Sequence, residues 1–99
     1  MEQAVSMDEI KTIIERVVRE RLADGNIQEV SVVRETDYQD ESVFRVTVIF
    51  DHKGPLDPHK TAGLVRHIRH ALLDIEESTF PIVAFVSKAE AAGMRPAAA

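Results

Sequence analysis

The side chains best suited to chemistry are four histidines that fall within one basic segment, residues 51–70. This segment holds two acidic residues against four lysines and arginines, although the whole chain carries a net charge of −5. His67 and His70 are three residues apart, which places them on one side of a helix, and Asp74 follows one turn later. A metal site needs at least three converging ligands, and no metalloprotease-type spacing supplies them here. We therefore predict no metal site and interpret these histidines as part of a solvated helix face.

A second candidate is the Gly-Pro-Leu-Asp-Pro stretch at residues 54–58, which leads into the start of a predicted helix. The free N–H groups at a helix start can bind a phosphate. However, Asp57 suits the N-cap position, where it would occupy one donor and repel an anion. The spacing also matches neither a P-loop nor a dinucleotide-binding fingerprint, so we predict no cofactor.

Catalytic motifs do not emerge from the remaining residues. The chain contains no cysteine, which excludes disulfides, thiolate zinc sites and cysteine nucleophiles. None of the serines stands in a nucleophile-elbow context. The acidic run at residues 37–41 falls in a predicted turn, where carboxylates are usually solvated rather than paired across a pocket. We predict that the protein is not an enzyme.

The composition is that of a single globular domain spanning residues 1–99, with 44% apolar and 29% charged residues. We expect an ordered core at about residues 6–88 and a flexible tail at residues 93–99. The first residues, Met1-Glu2-Gln3, are acidic and start no apolar run, and no apolar stretch approaches the ~20 residues that span a bilayer. We therefore expect a soluble cytoplasmic protein that does not bind membranes.

The first predicted helix covers about residues 7–23. Ser6 and Glu9 form a capping box, and apolar residues then recur at helical spacing. Gly25 is expected to take the left-handed conformation that often closes a helix.

The rest of the chain predicts two strands, a helix and a third strand, giving the order α-β-β-α-β. Residues 27–35 and 43–50 are rich in β-branched residues and are close enough to form an antiparallel hairpin. A second helix, predicted as uninterrupted, covers residues 57–77, and the last strand covers residues 80–86. The predicted fold is α+β, a two-layer domain in which two helices pack on one face of a three-stranded mixed sheet.

The predicted strands are apolar on both faces. One face is assigned Val30, Val32, Phe44, Val46, Val48, Phe50, Ile82, Ala84 and Val86, and the two helices are expected to cover it. The opposite face is assigned Val33, Val43, Ile49, Val83 and Phe85. An apolar patch left bare on a small domain commonly marks an interaction surface. We therefore predict a non-enzymatic interaction module that uses these five residues to form a homodimer or to bind a partner protein.

The order of elements resembles two families of small α+β domains. One is the cluster-donating domain of the Nfu-type iron–sulfur scaffolds, but the Cys-x-x-Cys motif on which that family depends is missing here. The other is the type II KH domain, which binds single-stranded RNA through a Gly-x-x-Gly loop between two helices. Gly54 and Gly63 are nine residues apart, so that motif is also missing.

The KH resemblance implies an alternative function, the binding of single-stranded RNA through the basic second helix. The residues expected to face the phosphates are Lys53, Lys60, Arg66, His67, Arg69 and His70. The acidic chain as a whole disfavours this alternative. The sequence also offers few aromatic residues for base stacking, because it has no Trp, a single Tyr and four Phe that are expected in the sheet.

Overall fold

The computed structural model describes residues 6–51 and 56–94. It contains, in order, α1 (Met7–Arg21), a 3₁₀ turn (Ala23–Gly25), β1 (Ile27–Thr36), β2 (Ser42–Phe50), α2 (Pro58–Ala62), α3 (Leu64–Leu73), β3 (Phe80–Ser87) and α4 (Lys88–Met94). The strand order is β1-β2-β3, with β1 antiparallel and β3 parallel to the central β2. The predicted α+β class, with a three-stranded mixed sheet covered by helices, is confirmed.

Helix α1 begins where the capping box predicted. The N–H of Glu9 donates to Oγ of Ser6 across 3.1 Å, which satisfies one of the free donors of the first turn. Ile10, Ile14 and Val18 then recur every four residues and are fully buried. This spacing puts one apolar stripe of the helix against the sheet.

The end of α1 differs from the prediction for Gly25. Asn26, rather than Gly25, takes the left-handed conformation, with φ of 51°. Gly25 is buried in the 3₁₀ turn, where an added Cβ would lie only 2.7 Å from Cδ2 of Leu56. The glycine is therefore suited to close packing at this position rather than to an unusual backbone angle.

The second helical segment is broken, so the prediction of one uninterrupted helix is wrong. Asp57 caps α2 by accepting the N–H of His59 across 2.9 Å, but α2 ends at Ala62. Gly63, with φ of −91° and ψ of −3°, separates it from α3. The apolar stripe continues through the break, which explains why periodicity did not reveal it. Glycine costs about 1 kcal/mol relative to alanine inside a helix, and this favours an interruption here.

Helices α1 and α3 pack on the same face of the sheet and form one core with it. Its buried members are Ile10, Ile14, Val18, Leu22, Val30, Phe44, Val46, Val48, Leu64, Ile68 and Leu72. Arg34 closes one end of this core, with its guanidinium 4.7 Å from the centre of the Phe44 ring. The core thus occupies the space between two helices and the sheet face, as the two-layer prediction requires.

The register of β3 reverses the predicted assignment of its two faces. Val83 pairs with Val46 and Phe85 pairs with Val48, and bridge partners in a sheet share a face. Val83 and Phe85 therefore pack against the core beneath the helices, while Ile82, Ala84 and Val86 lie on the opposite face. The prediction was wrong for this strand because both of its faces are apolar and its alternation carries no polar marker.

The C-terminal part of the described chain is helical. Ser87 and Glu90 form a reciprocal capping box at the start of α4, with both N–H to side-chain oxygen distances at 3.0 Å. Helix α4 extends to Met94 and thus includes the first two residues of the predicted tail at residues 93–99. Residues 95–99 lie outside the described residues.

Candidate functional site

The first candidate surface is the face of the sheet that lies opposite α1 and α3, which we call the open face. Its members, by strand register, are Glu29, Ser31, Val33 and Glu35 from β1, Val43, Arg45, Thr47 and Ile49 from β2, and Phe80, Ile82, Ala84 and Val86 from β3. Val33 is 50% exposed and Ile82 is 39% exposed. The β3 column is wholly apolar, whereas three of the four β1 residues are polar.

The open face is therefore mixed rather than uniformly apolar. Arg45 forms an ion pair with Glu35 across 2.8 Å. Of the five residues predicted as an interface, Val33 is exposed, Ile49 is partly buried and Val43 is 7% exposed. Val83 and Phe85 face the core. The predicted set thus does not form one continuous exposed patch.

The second candidate surface is a groove of about 560 Å³ between α3 and the start of β3. It is lined by Ala62, Val65, Arg66, Arg69, His70, Leu73 and Phe80. Its volume falls within the range typical of ligand sites. Part of this lining is apolar. The rest consists of the basic residues Arg66, Arg69 and His70. We refer to this feature as the basic groove.

The groove contains an aromatic residue that the sequence did not reveal as exposed. Phe80 is 45% exposed, and the guanidinium of Arg69 lies 5.2 Å from its ring centre, within the range of a cation–π contact. Phe80 begins the edge strand β3 and pairs with Val43 of the open face, and its ring at the end of the strand lies near Arg69 of α3. No pattern in the sequence marks this exposure, because it depends on the strand order and on the position of α3.

The electrostatic environment of α3 is positive. Desolvation lowers the pKa of His67 below its ordinary value of 6.5, and the charges of Arg21, Arg66 and His70 lower it further. Within residues 6–51 and 56–94, Arg66 and Arg69 form no ion pair, although five other cations do. Their charges are thus available to an anionic ligand.

Lys60 and His67 of the predicted phosphate-facing set do not line the groove. Lys60 forms an ion pair with Asp24 across 3.1 Å, so its charge is already compensated. Lys53 lies outside the described residues. The structure brings Arg66, Arg69 and His70 together in the lining of the groove, and His67 belongs to the same positive cluster.

Over residues 6–51 and 56–94, no group of three or more His, Asp or Glu side chains is arranged to hold a metal ion. No helix in that part of the chain combines the length and apolar character needed to cross a membrane.

The chain matches no protein-family model, and comparisons with curated proteins and with solved structures find no match.

Proposed function

We propose that the protein is a non-enzymatic binding module that holds single-stranded nucleic acid in the basic groove. The observation that carries this proposal is the contact of Arg69 with exposed Phe80 in a groove that Arg66 and His70 also line. A single strand offers phosphates and flat bases together. The arginines attract the phosphates. An aromatic ring and a guanidinium plane provide flat surfaces on which the bases can stack.

The break at Gly63 agrees with this proposal. The KH resemblance implies two helices where the sequence predicted one, and α2 and α3 are two helices separated at Gly63. An added Cβ at Gly63 would meet the side chains of Arg66 and His67 at 3.7 Å and 3.8 Å. The junction therefore lies beside the groove, although a Gly-x-x-Gly motif is missing from the sequence.

Binding of a fluorescein-labelled oligouridine of about ten nucleotides, measured by anisotropy, tests the proposal. Each phosphate contact to a single strand contributes a salt slope of about −0.7, so two or three contacts predict an affinity loss of roughly tenfold between about 50 and 200 mM salt. Arg69→Glu should abolish most of the binding. Arg16→Glu, an equal change of charge at an exposed position of α1 outside the groove, should alter it little.

A second pair of variants separates base stacking from simple attraction of an anion. Phe80→Ala should weaken binding by about tenfold, because stacking on an aromatic side chain is worth roughly 1–3 kcal/mol per base. Tyr38→Ala is the matched control, since Tyr38 is 95% exposed and does not line the groove. If the oligonucleotide fails to bind at low salt, or if polyglutamate binds equally well, the groove does not recognise nucleic acid.

The apolar β3 column of the open face favours a second candidate function, association with a second copy of the chain. This column has no charged residue, so a two-fold contact between two copies would bring no like charges together along it. Val33 and Ile82 are two of the exposed apolar residues that such a contact would bury.

Sedimentation velocity between about 5 and 100 μM tests this second candidate, because the mass of a weak dimer depends on concentration. Ile82→Asp should shift the protein to the monomer, while Tyr38→Asp should leave the assembly unchanged. A wild-type protein that remains a monomer throughout this range would exclude the homodimer.

A further inference from the structure

We infer that two copies of the chain pair through the outer edges of their β3 strands and form one continuous six-stranded sheet. This pairing rests on the second candidate function, association with a second copy, and specifies the contact between the copies. The contact is made by the backbone edge of β3 and the side chains that flank it, rather than by the whole open face.

The outer edge of β3 presents backbone groups that the sheet does not use. β3 is an edge strand and pairs on one side only, with β2. Apart from this ladder, its residues make no backbone–backbone hydrogen bond with the rest of residues 6–51 and 56–94. Every second residue of an edge strand directs its N–H and C=O groups outward, and such a row is a template for another strand. The edge is therefore suited to an extended polypeptide.

The two edges of the sheet differ in how they oppose such pairing. β1 carries Glu29, Arg34 and Glu35, and its register with β2 shifts between Ile27 and Glu29. Charges and bulges of this kind protect an edge strand from pairing. In contrast, β3 has no charged residue, and its register with β2 is regular from Phe80 to the end of the strand. Of the two edges, β3 is thus the one open to a further strand.

The side chains around this edge favour a second copy as the occupant. Leu73, Phe80 and Ile82 are 54%, 45% and 39% exposed, and they lie on β3 or in the groove beside it. An identical strand brings apolar side chains to this surface and adds no charge to it. A two-fold axis perpendicular to the sheet makes the two β3 strands antiparallel and keeps the helices of both copies on one side.

The ends of β3 determine the register of the pairing. Pro81 has no N–H to donate, and the N–H of Ser87 already donates to Oε1 of Glu90 across 3.0 Å. We therefore expect the new ladder over residues 82–86, which puts Ala84 on the two-fold axis. Ala84 is small and exposed, so the two strands can approach closely at this point.

The cations of α3 oppose this pairing. Because α3 packs beside β3, the two basic grooves lie next to each other across the axis, with Arg66 and Arg69 of both copies on the same side of the sheet. Salt screens repulsion between exposed charges, so the dimer should become stronger between about 50 and 500 mM salt. Nucleic-acid binding in the groove has the opposite salt dependence.

Cysteine cross-linking tests the pairing directly, because the chain has no cysteine and an introduced one reports on its own position. Opposed residues of antiparallel strands have Cα atoms about 4.5–5.5 Å apart, a distance that a disulfide spans. Ala84→Cys should therefore form a covalent dimer when it is oxidised at about 50 μM, as seen on a non-reducing gel. Val33→Cys is the matched control, since Val33 is exposed on β1 at the other side of the open face, and it should remain mainly uncross-linked.

A pair of lysine variants tests the same contact without a covalent bond. Ala84→Lys places like charges opposite each other at the axis and should raise the dissociation constant of the dimer by about tenfold in sedimentation velocity. Val33→Lys adds the same charge to the open face away from the β3 edge and should leave the dimer unchanged. Circular dichroism of both variants checks that they are folded.

The outcomes distinguish edge pairing from self-association in general. If the two cysteine variants cross-link equally, or if Val33→Lys dissociates the dimer as strongly as Ala84→Lys, the copies do not pair through β3, although they still associate. A dimer that weakens as salt is raised also contradicts pairing of these uncharged strands. A wild-type protein that remains a monomer from about 5 to 100 μM contradicts the self-association itself.

Discussion

The covered face and the open face of the sheet are made by the same three strands, but their side chains meet different surroundings. On the covered face, Phe44, Val46 and Val48 are fully buried beneath α1 and α3. On the open face, Val33 and Ile82 remain exposed and Arg45 pairs with a glutamate. Most of the apolar burial that stabilises the fold is therefore on the covered face, while exposed residues of the open face contribute less.

The largest expected effect is at the centre of the covered face. Phe44→Ala should lower the free energy of unfolding by about 3–5 kcal/mol, because it removes a fully buried ring and leaves a cavity. Val33→Ala on the open face should change it by about 0.5 kcal/mol or less. Urea denaturation followed by circular dichroism measures both. Similar losses in the two variants would mean that the open face is covered as well.

The next largest expected effect is seen when an arginine is introduced on either side of β3 and the loss of stability is compared. Phe85→Arg introduces a charge next to the core and should destabilise the fold by about 2–3 kcal/mol, with some relief if the long side chain reaches water. Ile82→Arg, at an exposed position on the same strand, should cost about 0.5 kcal/mol or less. Thermal unfolding of the two variants compares them directly. The reverse order would contradict the observed register of β3.

These strands also indicate how much of the fold the sequence could predict. In β2, Arg45 and Thr47 alternate with Phe44 and Val46, so polar residues mark the open face and its assignment was correct. In β3, residues 80–86 contain no polar side chain, and a shift of one residue exchanges its faces without any visible signal. The first helix and the three strands were therefore predictable, whereas the break at Gly63 was not, and the facing of β3 required the pairing with β2.

The candidate site was predictable to a similar extent. Arg66, Arg69 and His70 stood out because they are basic residues at helical spacing off the apolar stripe. Phe80 did not, because its exposure results from the edge position of β3 and the path of the chain after α3. The positive charge of the groove can thus be predicted from the sequence of α3 alone. The exposure of its aromatic residue depends on how β3 and α3 pack in the tertiary structure.

The smallest expected effect concerns the ion pair between Arg45 and Glu35 on the open face. Both side chains are more than one-third exposed, at 50% and 39%, so water screens their attraction in spite of the 2.8 Å separation. A double-mutant cycle with Arg45→Ala and Glu35→Ala should give a coupling energy of about 0.5 kcal/mol or less. The coupling should decrease further at about 1 M salt, where the screening length is only ~3 Å.

The salt dependence of this coupling distinguishes an open face from one covered by a second copy. A buried pair is screened much less, and removal of one partner then costs several kcal/mol because the other charge remains without compensation. If the coupling exceeds about 1 kcal/mol, persists at high salt and grows with protein concentration, the face is an interface and the contrast with the covered face is lost. If it stays small at all concentrations, the β3 column is solvent-exposed in the working protein. The basic groove then remains as the surface for the proposed binding function.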